Sequence, residues 1–300
     1  MKKKYLMQPI LEGFNNRALF FNKIDYKLRD KEEEFLICHE ELNEKHNQDD
    51  TVRYYFNSLG FRSDEFIKNH NGKHILFAGC SETEGTGGNL ESNWPYMVYS
   101  ELCKKEKISG FFNLSRGGWG HEIIISNIMA YINDYGKPDK IYVLLPNMGR
   151  IYQWEDSNDN KEHYFYKYFF ADTVKEKDQK IGPNAQYLIK KLTVEEQRNI
   201  FVTFTVLMKL FEDYCISNNI ELFWSTWDHS DAINYSNVNI FKRFIKFISQ
   251  KEFITKNQNF FINEIKTNKN WNFKRDGHHG YFYHYSWAQQ FLGKIDTKDY

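Results

Sequence analysis

HILFAGCSETEGTGG, residues His74–Gly88, is the stretch on which the reading of this chain turns. An apolar run stops at Gly79 and gives way to Cys80, Ser81 and a polar, glycine-rich segment. A short apolar run closed by glycine predicts a β-strand leading into a turn. Such a turn can change the chain's direction, cradle a phosphate or hold a nucleophile. Phosphate loops end in Gly-Lys-Ser/Thr or carry G-x-G-x-x-G. Gly85, Gly87 and Gly88 have neither spacing, and no lysine follows them. The phosphate reading is weak.

Outward from this stretch a rhythm appears. A helix is expected around Trp94–Lys105, a strand in ISGFFNLS, a helix in HEIIISNIMAYINDYG with Gly136 near its end, and a strand in KIYVLLP closed by Pro146. Thr193 and Glu196 form a capping box, and Phe201, Phe204, Met208, Phe211 and Cys215 then recur at helical spacing. IELFWSTW predicts a fourth strand and IFKRFIKFI a further helix. Strands that alternate with helices imply an α/β fold: a mainly parallel sheet covered on both faces, a three-layer α/β/α sandwich of flavodoxin-like kind. Residues 1–70 show no comparable pattern and are expected as an N-terminal extension, with NSLG at 57–60 as a turn. The aromatic and charged segment at about 150–190 is expected as an insert in the 71–300 domain.

Composition narrows the function classes. Lys and Arg number 40, as do Asp and Glu, so the formal charge is zero. Nucleic-acid binding by bulk electrostatics requires clustered, uncompensated cations, and is not expected. Cys38, Cys80, Cys103 and Cys215 form no CxxC pair and are expected as free thiols of a reducing compartment. The start, MKKKYLMQPILEGF, is interrupted by Gln8, Pro9 and Glu12, which argues against a signal peptide. No window has the apolar length of a membrane helix. The expectation is a cytoplasmic protein without membrane contact, or one carried on a virus particle.

A nucleophilic serine needs a base, and the base needs an orienting group. The α/β-hydrolase elbow G-x-S-x-G fails at Thr83, leaving Gly79-Cys80-Ser81-Glu82-Thr83-Glu84-Gly85. The segment RDGHHGYFYHYSWAQQF supplies Asp276 and His279, whose D-x-x-H spacing can set a carboxylate against its own histidine; His278 and His284 compete. A metal site from Asp276, His278, His279 and His284 ranks below catalysis, because only Asp228 and His229 remain as further ligands. Oxyanion donors are available in principle from the N–H of Gly118, in NLSRGGWG, and from the amide of Asn147, in LLPNMG.

Together GCSETEG, NLSRGG, LPNM and DGHH resemble, in order and strand placement, the four blocks of the SGNH (GDSL-like) hydrolase superfamily. The resemblance spans roughly Asn71 to Leu292, and FNSLGFRSDEF resembles the lead-in of some members, phage-encoded ones included. It implies Ser81 as nucleophile, His279 as general base, Asp276 as its orienting acid, and an oxyanion hole from the N–H groups of Ser81 and Gly118 with the Asn147 amide. No metal or organic cofactor is implied. Cys80 stands where the family has Asp and reads as a buried small hydrophobe. Leu145 and Met148 replace the Gly and Asp of the third block.

The expected reaction is hydrolysis of a small ester through an acyl-enzyme. Trp119 and Trp227 are candidate substrate contacts, and aromatic walls suit sugars, which favours O-acetyl groups on a carbohydrate. The insert or the N-terminal extension can equally serve a protein partner. Two alternatives stand beside the hydrolase: a structural or attachment protein, such as a virion component that keeps the fold with little or no activity, and an O-acyltransferase.

Overall fold

The computed structural model describes residues 56–86, 88–156, 163–168, 187–188, 194–247 and 281–294. Its centre is a sheet of four parallel strands, β1 (Ile75–Gly79), β2 (Phe112–Ser115), β3 (Lys140–Leu145) and β7 (Glu221–Thr226), in the order β2-β1-β3-β7. The intervening strands β4 (Ile151–Asp156), β5 (His163–Tyr168) and β6 (Tyr187–Leu188) form a separate sheet within the segment read as an insert.

Burial on both faces explains why the central strands are runs of apolar residues. Side chains alternate across the sheet. Leu76, Ala78, Leu114, Ile141, Val143, Leu145 and Trp224 join one core with the apolar stripes of α3 (His121–Tyr135) and α4 (Val194–Ser217) and with Tyr235 of α5 (His229–Val238). Ile75, Phe77, Tyr142 and Leu144 point the other way, into a core with α2 (Trp94–Cys103) and α6 (Tyr281–Phe291). The result is an α/β arrangement with helices on both faces, as the alternation of elements predicts.

Local chemistry sets the helix ends. Pro95 lies in the first turn of α2, where its missing N–H costs nothing. Gly136, at φ +94°, ends α3. On α4, Phe204, Met208, Phe211 and Cys215 are buried at spacings of three and four, the Phe and Met side chains each stabilising by roughly 1.5–3 kcal/mol. Thr193, the expected cap of α4, lies outside the described residues.

Two expectations need correction. IFKRFIKFI does not form a helix: over 240–247 the chain runs beside β7, with Ile245 N–H donating to Trp224 O at 2.9 Å and Ser225 Oγ to Ile245 O at 2.7 Å. The wholly buried Glu212 of α4 overrides the helical pattern by accepting the N–H groups of Lys242 (2.9 Å) and Arg243 (2.6 Å). Phe241 and Phe244 pack on Trp224 at ring distances of 4.8 and 4.7 Å. The helix occurs one segment earlier, as α5, where Asp228 accepts from the N–H groups of Ser230 and Asp231 and Asn239 closes at φ +52°. Residues 56–70, read as the end of an extension, contribute Phe61 and Phe66 to the core. Gly60 N–H bonds Asn57 O at 2.8 Å in the expected turn.

Candidate active site

Because all four central strands are parallel, their carboxyl ends share one edge, and the loops after them converge there. Ser81 follows β1, Gly118 follows β2, Asn147 follows β3 and Trp227 follows β7.

Ser81 opens a four-residue helix, α1 (Ser81–Glu84), whose first carbonyl, that of Cys80, accepts from Thr83 at 3.0 Å and Glu84 at 2.9 Å. As the first helical residue, Ser81 has no intrahelical acceptor for its own N–H. The turn requires glycine at its start. A Cβ on Gly79 would stand 2.0 Å from Thr83 Oγ1 and 2.7 Å from Leu144 O. It also closes on glycine: Gly85 has φ +78° and donates its N–H to Ser81 O at 2.9 Å. Three side chains brace α1 from outside. Asn93 and Asn113 both donate their amides to Thr83 O, at 2.8 and 3.0 Å, and Arg62 donates to Gly85 O at 2.7 Å. Asn113, the first residue of the second sequence block, is wholly buried and therefore secures the serine turn. Cys80 is a free, wholly buried thiol, as expected of a small hydrophobe.

The second loop meets this turn directly. Gly117 donates its N–H to Glu84 Oε2 at 2.7 Å, and a Cβ built on it would lie 3.8 Å from Ser81 Cβ. Gly118 adopts φ +81°, a conformation that glycine takes without strain.

Asn147 is placed differently from a free oxyanion donor. Its Nδ2 donates to Asp228 Oδ2 at 2.8 Å, and its Oδ1 accepts from Gly149 N–H at 2.6 Å. Met148 N–H, where the family pattern has Asp, donates to Asp231 Oδ2 at 2.8 Å. The carboxylates holding the third loop therefore come from α5 and its cap. Burial opposes the charge of Asp228, but hydrogen bonds from Ser230 and Asn147 hold its carboxyl below the usual range. Burial and the neighbouring Asp228 push the Asp231 carboxyl up to about 7.

Asp276, His278 and His279 lie outside the described residues. His284, their competitor, is buried between Trp94 and Glu82. It is 1% exposed on α6, its Nδ1 faces Trp94 N–H at 3.4 Å, and its Nε2 lies 3.7 Å from Glu82 Oε2. An Nδ1 that accepts a backbone N–H leaves the ring proton on Nε2, on the side of Glu82 but at more than hydrogen-bond length from it. Glu82 is itself 4% exposed and follows Ser81 in sequence. This contact ties the C-terminal helix to the serine turn. The sequence shows only that an acid follows the serine and that a histidine lies within an aromatic helix.

Trp119 requires a correction. It is wholly buried, packed edge-on against Phe61 at 5.9 Å, and belongs to the core instead of to a substrate wall. Trp227 is half-buried at the sheet edge, with the Arg150 guanidinium 5.7 Å from its ring centre. Beyond the serine turn, α3 begins with two ionisable groups, His121 buried and Glu122 half-buried. His121 stacks on Phe204 at 4.4 Å, and burial drives its pKa down to about 3. Burial raises the Glu122 carboxyl to about 7.

Among the described residues, no group of three His, Cys, Asp or Glu side chains is placed to hold a metal ion. Nor is any helix among them long and apolar enough to cross a membrane. Comparison with models of known protein families gives no match, and neither do comparisons with curated proteins or solved structures.

Proposed function

We propose that this chain is an SGNH-like serine esterase that removes small acyl groups, with O-acetyl groups on a carbohydrate as the favoured substrate class. The observation that carries this reading is the contact between Glu82 and His284. Glu82 adjoins the candidate nucleophile, and His284 lies in the first turn of a helix that starts two residues after His279. His279 is thus five positions of chain from a residue anchored beside Ser81, a length that spans at most about 18 Å.

In this reading Ser81 Oγ attacks the ester carbonyl while His279 takes its proton, with Asp276 orienting the imidazole. The tetrahedral oxyanion draws on the N–H groups of Ser81 and Gly118. The C–O bond to the alcohol breaks as His279 returns the proton to the leaving oxygen, and the acyl group remains on Ser81. Water, deprotonated by His279, then attacks the acyl-enzyme and frees the acid. Trp227 remains as an aromatic contact for a sugar face.

Hydrolysis of p-nitrophenyl acetate and of an acetylated oligosaccharide tests this reading. Ser81→Ala and His279→Ala are each expected to lower kcat by at least about a thousandfold. Activity unchanged in Ser81→Ala would overturn it. A second reading, a retained fold with a weak site, is favoured by the Asn147 amide already bonded to an anionic carboxylate. It predicts hydrolysis no faster than that of Ser81→Ala.

A further inference from the structure

We infer that Glu84 is a positioning residue that holds the oxyanion loop against the nucleophile; this rests on the esterase reading of Ser81. Glu84 ends the same four-residue helix that Ser81 begins. Its Oε2 accepts the N–H of Gly117 at 2.7 Å and faces the Thr86 hydroxyl at 3.3 Å. Gly117 has no side chain to interfere: a Cβ there would come within 3.3 Å of the same carboxylate oxygen and 3.8 Å of Ser81 Cβ. One carboxylate therefore spans from the serine helix to the loop after β2.

The bond matters for catalysis because it fixes the Arg116–Gly117 peptide, one residue ahead of Gly118, whose φ of +81° belongs to a residue that resists rotation poorly. An oxyanion donor works only if already aimed before charge develops. In the resting enzyme Glu84 supplies that constraint from the nucleophile's own helix, so the serine and the donor move together. What the loop needs from Glu84 is an acceptor oxygen at that reach. Negative charge so near a developing oxyanion gives no advantage to the reaction.

The acceptor and the charge separate experimentally. Glu84→Gln keeps a carbonyl oxygen at the same reach and loses the charge; Glu84→Asp keeps the charge and shortens the reach by one methylene. Steady-state kinetics on p-nitrophenyl acetate are measured with melting temperature for wild type, Ser81→Ala and Glu84→Gln, →Asp and →Ala. Glu84→Gln is expected to hold kcat within about threefold of wild type. Glu84→Ala and Glu84→Asp are expected to lose about tenfold to a hundredfold in kcat with KM changed less than twofold. Should Glu84→Ala not fold, the Gln and Asp variants carry the comparison. Equal kcat in all three variants and wild type, or equal losses in Gln and Asp, overturns the role while Ser81→Ala still reports a working nucleophile. Wild-type turnover matching Ser81→Ala would instead remove the esterase reading, and this role with it.

Discussion

Asp231 shows how one residue couples the third loop to pH. It is 6% exposed, accepts Met148 N–H, and has Asp228 as a like-charged neighbour. Its carboxyl is raised from 3.8 to about 7 in the folded protein. A raised carboxyl binds its proton more tightly folded than unfolded, so its stabilising contribution is complete below about pH 4 and is lost as pH rises through about 7. Asp231→Asn fixes the neutral form. Its stability relative to wild type is expected to improve steadily between pH 4 and pH 7 and then level off, as measured by urea unfolding across that range. A constant difference would show that Asp231 does not titrate there. The buried His121, lowered to about 3, acts in the opposite sense: its contribution is present above about pH 6.5 and lost on acidification.

Among elements, the segment 240–247 shows where pattern and packing disagree. Its apolar spacing is helical, but Glu212 takes the N–H groups of Lys242 and Arg243, and Trp224 and Ser225 bond the backbone of Ile245 alongside β7. Trp224 Nε1 adds a longer contact of 3.4 Å to the same carboxylate. Glu212→Ala removes the shared acceptor and is expected to destabilise by about 2–4 kcal/mol, read as a shift in the urea midpoint. A shift below about 0.5 kcal/mol would show that water replaces it freely. The four central strands and the helices α2, α3 and α4 were legible because burial on two faces or one leaves a direct mark on the order of apolar residues. The course of 240–247 was not, because it depends on a carboxylate about thirty positions earlier. For the same reason the sequence pointed to Ser81 and Gly118 but not to Glu84, and offered Asp228 only as a metal ligand, whereas both make contacts between loops. Trp119 was misread because an aromatic next to a glycine loop looks the same whether it faces the core or a ligand.

For the molecule as a whole, parallel strand order is what gathers the candidate groups. Had any strand of β2-β1-β3-β7 run antiparallel, its following loop would lie at the opposite edge, away from Ser81. The second core, between the sheet and the pair α2 and α6, adds the other requirement: Trp94 stacks on Phe291 at 4.7 Å and brings the C-terminal helix to the serine turn. The central claim is that this convergence makes Ser81 a nucleophile. The most direct measurement is intact-mass and peptide-mapping analysis after exposure to a fluorophosphonate. The account predicts a single adduct on Ser81, absent in Ser81→Ala and strongly slowed in His279→Ala. No adduct on the folded wild-type protein, or one that persists in Ser81→Ala, would contradict it.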